Sequence, residues 1–183
     1  MRNFNYAVLF TAVLATTGLS SAADVMVGGQ NMLPGKDIID NAVNSADHTT
    51  LVAAVKAAGL VDTLKGKGPF TVFAPTNEAF GKLPAGTVES LVKPENKAML
   101  TKILTYHVVP GRYDFMTIAG DIKKHGGTAE LATASGGKLW FMMNGPHNIS
   151  VKDENGDVAS ISTYDVYQSN GVINVIDTVL MPK

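Results

Sequence analysis

The sequence predicts an α+β fold, with helices in most of the first half and an antiparallel-rich, multi-stranded sheet in the second. Two patterns carry that expectation. Up to about residue 117 apolar residues recur at helical spacing, as in Leu100, Ile103, Leu104 and His107. Beyond it, short apolar runs at residues 130–133, 138–143, 148–152, 158–165 and 171–180 are separated by turn residues. Composition adds a constraint: with 45% hydrophobic and 17% charged residues over 183 positions, the chain can bury one sizeable core. It contains no cysteine, so that core is held without disulfides, and thiol catalysis and thiolate metal sites are excluded.

The first 23 residues read as a signal peptide. Arg2 precedes an apolar stretch over residues 6–15, and Ser21-Ala22-Ala23 supplies the small residues for cleavage between Ala23 and Asp24. The stretch is too short for a stable membrane span. The expected location is therefore secreted or periplasmic, with no membrane insertion of the mature chain. Its removal takes one positive charge, Arg2, and no acid, shifting the formal net charge from −1 to −2. Neither value gives an electrostatic footprint for nucleic acid.

Residues 24–36, with Gly28-Gly29 and Pro34-Gly35, read as a flexible lead-in, and residues 37–183 as a single domain. Asp37 is placed to cap a helix carrying Ile38, Ile39, Ala42 and Val43 on its inner face. A second helix starts near Asp47 or Thr49, buries Leu51, Val52 and Val55, and stops at Gly59. Phe70 to Ala74 is β-rich, after which Thr76 caps a helix with Glu78 in its first turn. Pro75 and Phe80 occupy the positions of a hydrophobic staple across that cap. Thr87 caps a short helix ending near Val92, and Pro94 opens the helix that carries the Leu100–His107 stripe. Pro110-Gly111 then turns the chain, and strand periodicity begins near Thr117. Asn155-Gly156 fits the positive φ angles of a type I′ hairpin turn.

Three segments carry a family resemblance. Residues 68–80 include Phe70, Phe73, Pro75, Thr76, Asn77 and Phe80; residues 169–182 include Asn170, Gly171, Val172, Ile173, Asn174 and Asp177; Tyr106-His107-Val108-Val109-Pro110-Gly111 lies between them. In that order, from about Asp37 to Pro182, they resemble the two signature segments and the Tyr-His motif of fasciclin (FAS1) domains. The simple exported architecture is similar to that of bacterial members. The resemblance implies a non-enzymatic extracellular adhesion or protein-interaction module, without a cofactor. Such a module, expected as a monomer, would meet a protein or glycan on a cell surface or matrix through exposed loops and strand edges. The implied partner-binding residues are Tyr106 and His107, with Asp165 and Val166 matching the Asp–aliphatic pair of short integrin-recognition motifs in animal members. Thr163, Tyr164 and Tyr167 depart from the usual flanks of that pair.

Each of these residues also has a structural reading. His107 continues an apolar stripe and fits a core histidine, Tyr106 fits a half-buried hydrogen-bonded partner, and Asp165 fits a turn cap at a strand end. Asp153-Glu154-Asn155-Gly156-Asp157 departs from an EF-hand loop, since the glycine is misplaced and Tyr164 stands where the bidentate Glu belongs. Met142 and Met143 are adjacent on a strand and so point to opposite faces, which argues against shared ligation with His147. No metal site is expected. No Gly-x-Ser-x-Gly elbow or phosphate-binding loop is present. The Asn148-Ile149-Ser150 sequon is relevant only in a glycosylating host. A second functional reading rests on the Phe, Met and Val content: an exported carrier or sensor of a small apolar ligand lodged between helices and sheet.

Overall fold

The computed structural model describes residues 25–183; the expected signal peptide lies outside the described residues. The chain folds as an α+β domain. A hairpin of β1 (Val25–Val27) and β2 (Gln30–Met32) leads into α1 (Ile38–Ala42), α2 (Thr49–Ala58) and α3 (Val61–Leu64). Strand β3 (Phe70–Pro75) follows, then α4 (Asn77–Gly81), α5 (Thr87–Leu91), α6 (Lys97–Tyr106), β4 (Val108–Pro110) and α7 (Phe115–Lys124). The chain ends in β5 (Thr128–Ala132), β6 (Lys138–Met143), β7 (Ile149–Lys152), β8 (Val158–Gln168) and β9 (Gly171–Ile176).

Several caps form where the side-chain chemistry predicts them. The Asp37 carboxylate accepts the Asp40 N–H at 2.8 Å, and the Thr76 hydroxyl accepts the Ala79 N–H at 3.2 Å. Gly59 closes α2 in the left-handed conformation, with φ of 74°. Pro75 and Phe80, flanking the Thr76 cap, are both buried.

A seven-stranded sheet in the order β4-β3-β9-β8-β7-β6-β5 forms the scaffold. Two adjacent inner strands, β3 and β9, lie within the two signature segments, and they pair in parallel from Phe70 opposite Gly171 to Pro75 opposite Ile176. All other pairings in the sheet are antiparallel. The opening of the parallel pair demands glycine, because a Cβ on Gly171 would come within 2.1 Å of the Phe70 carbonyl oxygen. The Asn170 side chain ties three elements together there. Its Oδ1 accepts the Ile38 N–H at 3.0 Å, and its Nδ2 donates to the Leu64 and Gly66 carbonyls at 2.7 and 3.0 Å.

Strand β9 is buried at every position, as expected of a central strand covered on both faces. Val72, Ala74, Ile173 and Val175 face a core shared with α1, α2 and α6. Phe73 and Ile176 face a second core under α7, with Phe141, Leu139, Val151 and Ile118.

Four local expectations are corrected. Residues 25–32, expected within a flexible lead-in over residues 24–36, instead form the β1–β2 hairpin and bury Val27 and Met32 in the first core. Strand periodicity does not begin near Thr117, because α7 runs from Phe115 to Lys124, capped by Asp114 and burying Ile118 and Ile122. Thr87 is the first helical residue of α5 and not its cap, a position taken by Gly86. At the tip between β7 and β8 only Gly156 has positive φ, so Asn155-Gly156 is not a type I′ turn. The buried Asp153 carboxylate shapes that tip instead, accepting the Asn155 and Asp157 N–H groups at 2.9 Å each.

Candidate interaction surface

Helix α6 places Tyr106 and His107 at its C-terminal end, and the structure turns both inward. Tyr106 is fully buried; its hydroxyl donates to the Lys138 carbonyl at 2.6 Å and accepts the Glu154 N–H at 3.1 Å. Burial, reinforced by the charges of Glu154 and Asp153 and eased by the Glu154 N–H, pushes its pKa up to about 12. His107 is buried between two backbone groups. Nδ1 donates to the Ile103 carbonyl at 2.9 Å and Nε2 accepts the Leu180 N–H at 3.0 Å, a tautomer fixed by those partners. Burial lowers its pKa to about 4, with the Ile103 carbonyl and Asp153 acting in the opposite direction. With both nitrogens engaged, the ring braces the fold and is no free base. The implied contact role of this pair is therefore corrected: neither side chain reaches the surface.

Val166 is likewise buried, at 1% exposure, and the expectation that it anchors a partner is corrected for the same reason. Asp165 is partly exposed but internally committed. It sits at φ of 57° in an irregular stretch of β8, its N–H donates to Asn174 Oδ1 at 3.1 Å, and its own Oδ1 accepts the Phe115 N–H at 2.7 Å. Burial raises its pKa, the Phe115 N–H opposes that, and the nearby Asp114 charge adds to it. Asp165 thus anchors the first turn of α7 against the sheet.

What that anchor presents is a patch that residue-by-residue reading missed. The Arg112 guanidinium lies 5.9 Å from the Tyr167 ring centroid, and the Tyr167 hydroxyl donates to Asp114 Oδ2 at 3.4 Å. Phe115 meets Tyr164 edge to face at 5.2 Å and 85°. The Tyr164 hydroxyl accepts the Ile149 N–H at 2.7 Å, locking the ring. Met116 stands 74% exposed at the start of α7. The signal in the sequence was the run Arg112-Tyr113-Asp114-Phe115-Met116 directly after the Pro110-Gly111 turn. Such a patch offers a cation, half-exposed aromatic faces and a flexible thioether on one rigid base. It can bind. Among the described residues no three His, Asp or Glu side chains converge to hold a metal ion. No helix among them is long and apolar enough to cross a membrane.

Comparison with known proteins follows the same segments. The model of the fasciclin domain matches residues 46–182. The chain belongs to the fasciclin domain family. Among relatives of this fasciclin domain, protein sll1483 of Synechocystis sp. is 49% identical over 147 residues, covering 79% of this chain and 73% of that one. Immunogenic protein MPB70 of Mycobacterium bovis is 38% identical over 148 residues, covering 77% and 66% of the two chains. Transforming growth factor-beta-induced protein ig-h3 of Sus scrofa is 38% identical over 134 residues, and the match spans only 17% of its length. Among solved structures, a FAS1 domain pair from the insect cell adhesion molecule fasciclin I superposes with a TM-score of 0.69. At 18% identity, over 80% of this chain and 51% of that one, it shares the fold.

Proposed function

We propose that this fasciclin domain is a non-enzymatic adhesion or protein-interaction module, exported after cleavage between Ala23 and Asp24 and acting outside the cytoplasm as a monomer. Its partner is a protein or glycan on a cell surface or matrix. The observation that carries the reading is the patch of Arg112, Phe115, Met116, Tyr164 and Tyr167 on a family member whose signature histidine is spent on structure. Aromatic residues, Met and Arg are the types enriched where protein surfaces bind, and here hydrogen bonds hold Tyr164, Tyr167 and the Phe115 backbone in place before any partner arrives. Asp165 serves this surface from below by fixing Phe115, in place of the direct contact implied by the family's Asp–aliphatic pair. A single domain with one modest patch binds weakly and gains strength when many copies engage together.

The test is attachment of beads carrying many copies of the protein to cells of its host. Tyr167→Ala combined with Met116→Glu should abolish attachment while leaving the melting midpoint within a few degrees of wild type. Undiminished attachment by the double variant would remove this patch from the proposal.

A further inference from the structure

Between the helical layer and the sheet lies a cavity of about 80 Å³. Met32, Ile39, Leu51, Leu104 and Ile173 contribute to its apolar wall, and Val52 and Lys56, both solvent-accessible, mark its mouth. The β1–β2 hairpin closes one side through Val27 and Met32. Native cores are packed nearly without voids, so an apolar space of this size is unusual. It is a little over half the volume of an engineered apolar cavity, about 150 Å³, that stays dry and admits benzene.

Polar groups reach the lining at few points, and they differ in what remains free. Lys56 is exposed at the mouth. His107 has both nitrogens occupied by Ile103 and Leu180. The Ser45 hydroxyl is shared with His48 Nδ1 at 2.9 Å. His48 Nε2, on a ring only 3% exposed, has no hydrogen-bond partner. The Ala74 carbonyl influences the ring's proton affinity without completing a hydrogen bond of acceptable geometry. A buried ring nitrogen left unpaired costs stability, and such groups in native proteins call for an explanation. Water is the competing occupant, since it needs two to four polar partners and the lining holds His48 Nε2, the Ser45 hydroxyl and the Ala74 carbonyl. Against an almost wholly apolar wall, an organic ligand gains more.

We propose that the cavity is a binding site for a small uncharged ligand with an apolar body and one hydroxyl group, the hydroxyl paired with His48 Nε2. The apolar wall takes the body. A hydroxyl both donates and accepts, so it satisfies His48 in either tautomer that Ser45 allows. A carboxylate or ammonium group is rejected, because nothing in the interior offsets its desolvation. The site lies apart from the Arg112–Tyr167 patch and does not depend on that surface being an interface.

The test titrates the full chain with phenol, benzene and benzoate, reading affinity and the ¹⁵N resonances of the His48 ring by NMR. Phenol should shift the His48 Nε2 resonance and bind about tenfold more tightly than benzene, the difference one hydrogen bond supplies, while benzoate leaves the resonance unmoved. Val52→Trp, at a half-buried position on the mouth, should remove phenol binding with the remaining spectrum preserved. In His48→Phe, phenol and benzene should bind alike. Equal affinities for phenol and benzene in the wild-type chain would overturn the proposal. So would an unperturbed His48 resonance at saturating phenol, or undiminished phenol binding in Val52→Trp.

Discussion

His107 Nε2 accepts the backbone N–H of Leu180 at 3.0 Å, so the signature histidine clamps the C-terminal segment to the end of α6. The clamp works only with a neutral ring. Because the folded pKa is near 4 and the unfolded value near 6.5, the unfolded chain binds the extra proton between those pH values. Stability from this group is therefore fully present above about pH 6.5 and is lost as pH falls toward 4. The loss should be on the order of 3 kcal/mol. His48, also lowered chiefly by burial, acts in the same direction. Urea unfolding between pH 4 and 7 measures this. His107→Ala should cost about 2–4 kcal/mol at pH 7 and show a shallower acid loss than wild type. An equal acid slope in the variant would assign the loss to other groups.

Asp165→Ala should lower stability by about 1–2 kcal/mol, because it deletes the acceptor for the Phe115 N–H and leaves alanine in a left-handed conformation. Asp165→Asn should lose less, since asparagine keeps an acceptor and tolerates that conformation. Urea midpoints rank the three proteins. Alanine matching wild type would mean that the bond to α7 contributes nothing.

Asn170 gives a sharper ranking. Asn170→Ala removes three hydrogen bonds to α1 and the α3–β3 connection, at a cost of about 2–4 kcal/mol. Asn170→Asp keeps the acceptor for Ile38 but turns a carboxylate toward the Leu64 and Gly66 carbonyls, so it should be worse than alanine at pH 7 and recover as the acid protonates. Thermal melts at pH 7 and pH 4 distinguish the two variants.

Tyr106→Phe should cost about 1–3 kcal/mol by stranding the Lys138 carbonyl and Glu154 N–H. Amide exchange should quicken at Glu154. Exchange unchanged there would show that the hydroxyl is not what holds this corner.

For the surface patch the expected outcome is a separation of stability from attachment. Tyr167→Ala loses the Arg112 and Asp114 contacts at a partly exposed site, and should move the urea midpoint little. Bead attachment reports the functional loss. A large drop in midpoint would recast Tyr167 as part of the scaffold.

How much of this was readable beforehand depended on the range of the interactions. Asp37, Thr76 and Gly59 act within one turn of chain, so their residue types alone placed the helix ends. The Leu100–His107 spacing likewise foretold a buried histidine face. Helix α7 was obscured by Gly120 in its middle and by the β-favouring Phe115, Thr117 and Ile118, although Asp114, Ile118 and Ile122 in fact carried the helical signal. The β1–β2 hairpin has little apolar surface of its own and gains its place from Val27 and Met32 in the core, a distant contact that no local pattern reports. The patch escaped for the same reason. Arg112 and Tyr167 stand far apart in the chain, and the left-handed turn at Asp165 that brings them together has no glycine to announce it.

The parallel pairing of Phe70 with Gly171 also governs when the protein can become a protein. A ribosome or translocation pore must release the chain through Ile176 before β9 can slot between β3 and β8, so closure of the sheet waits for that strand and is slowed by the long loop it closes. Until then the chain remains threadable, which is the condition that passage through a membrane channel requires.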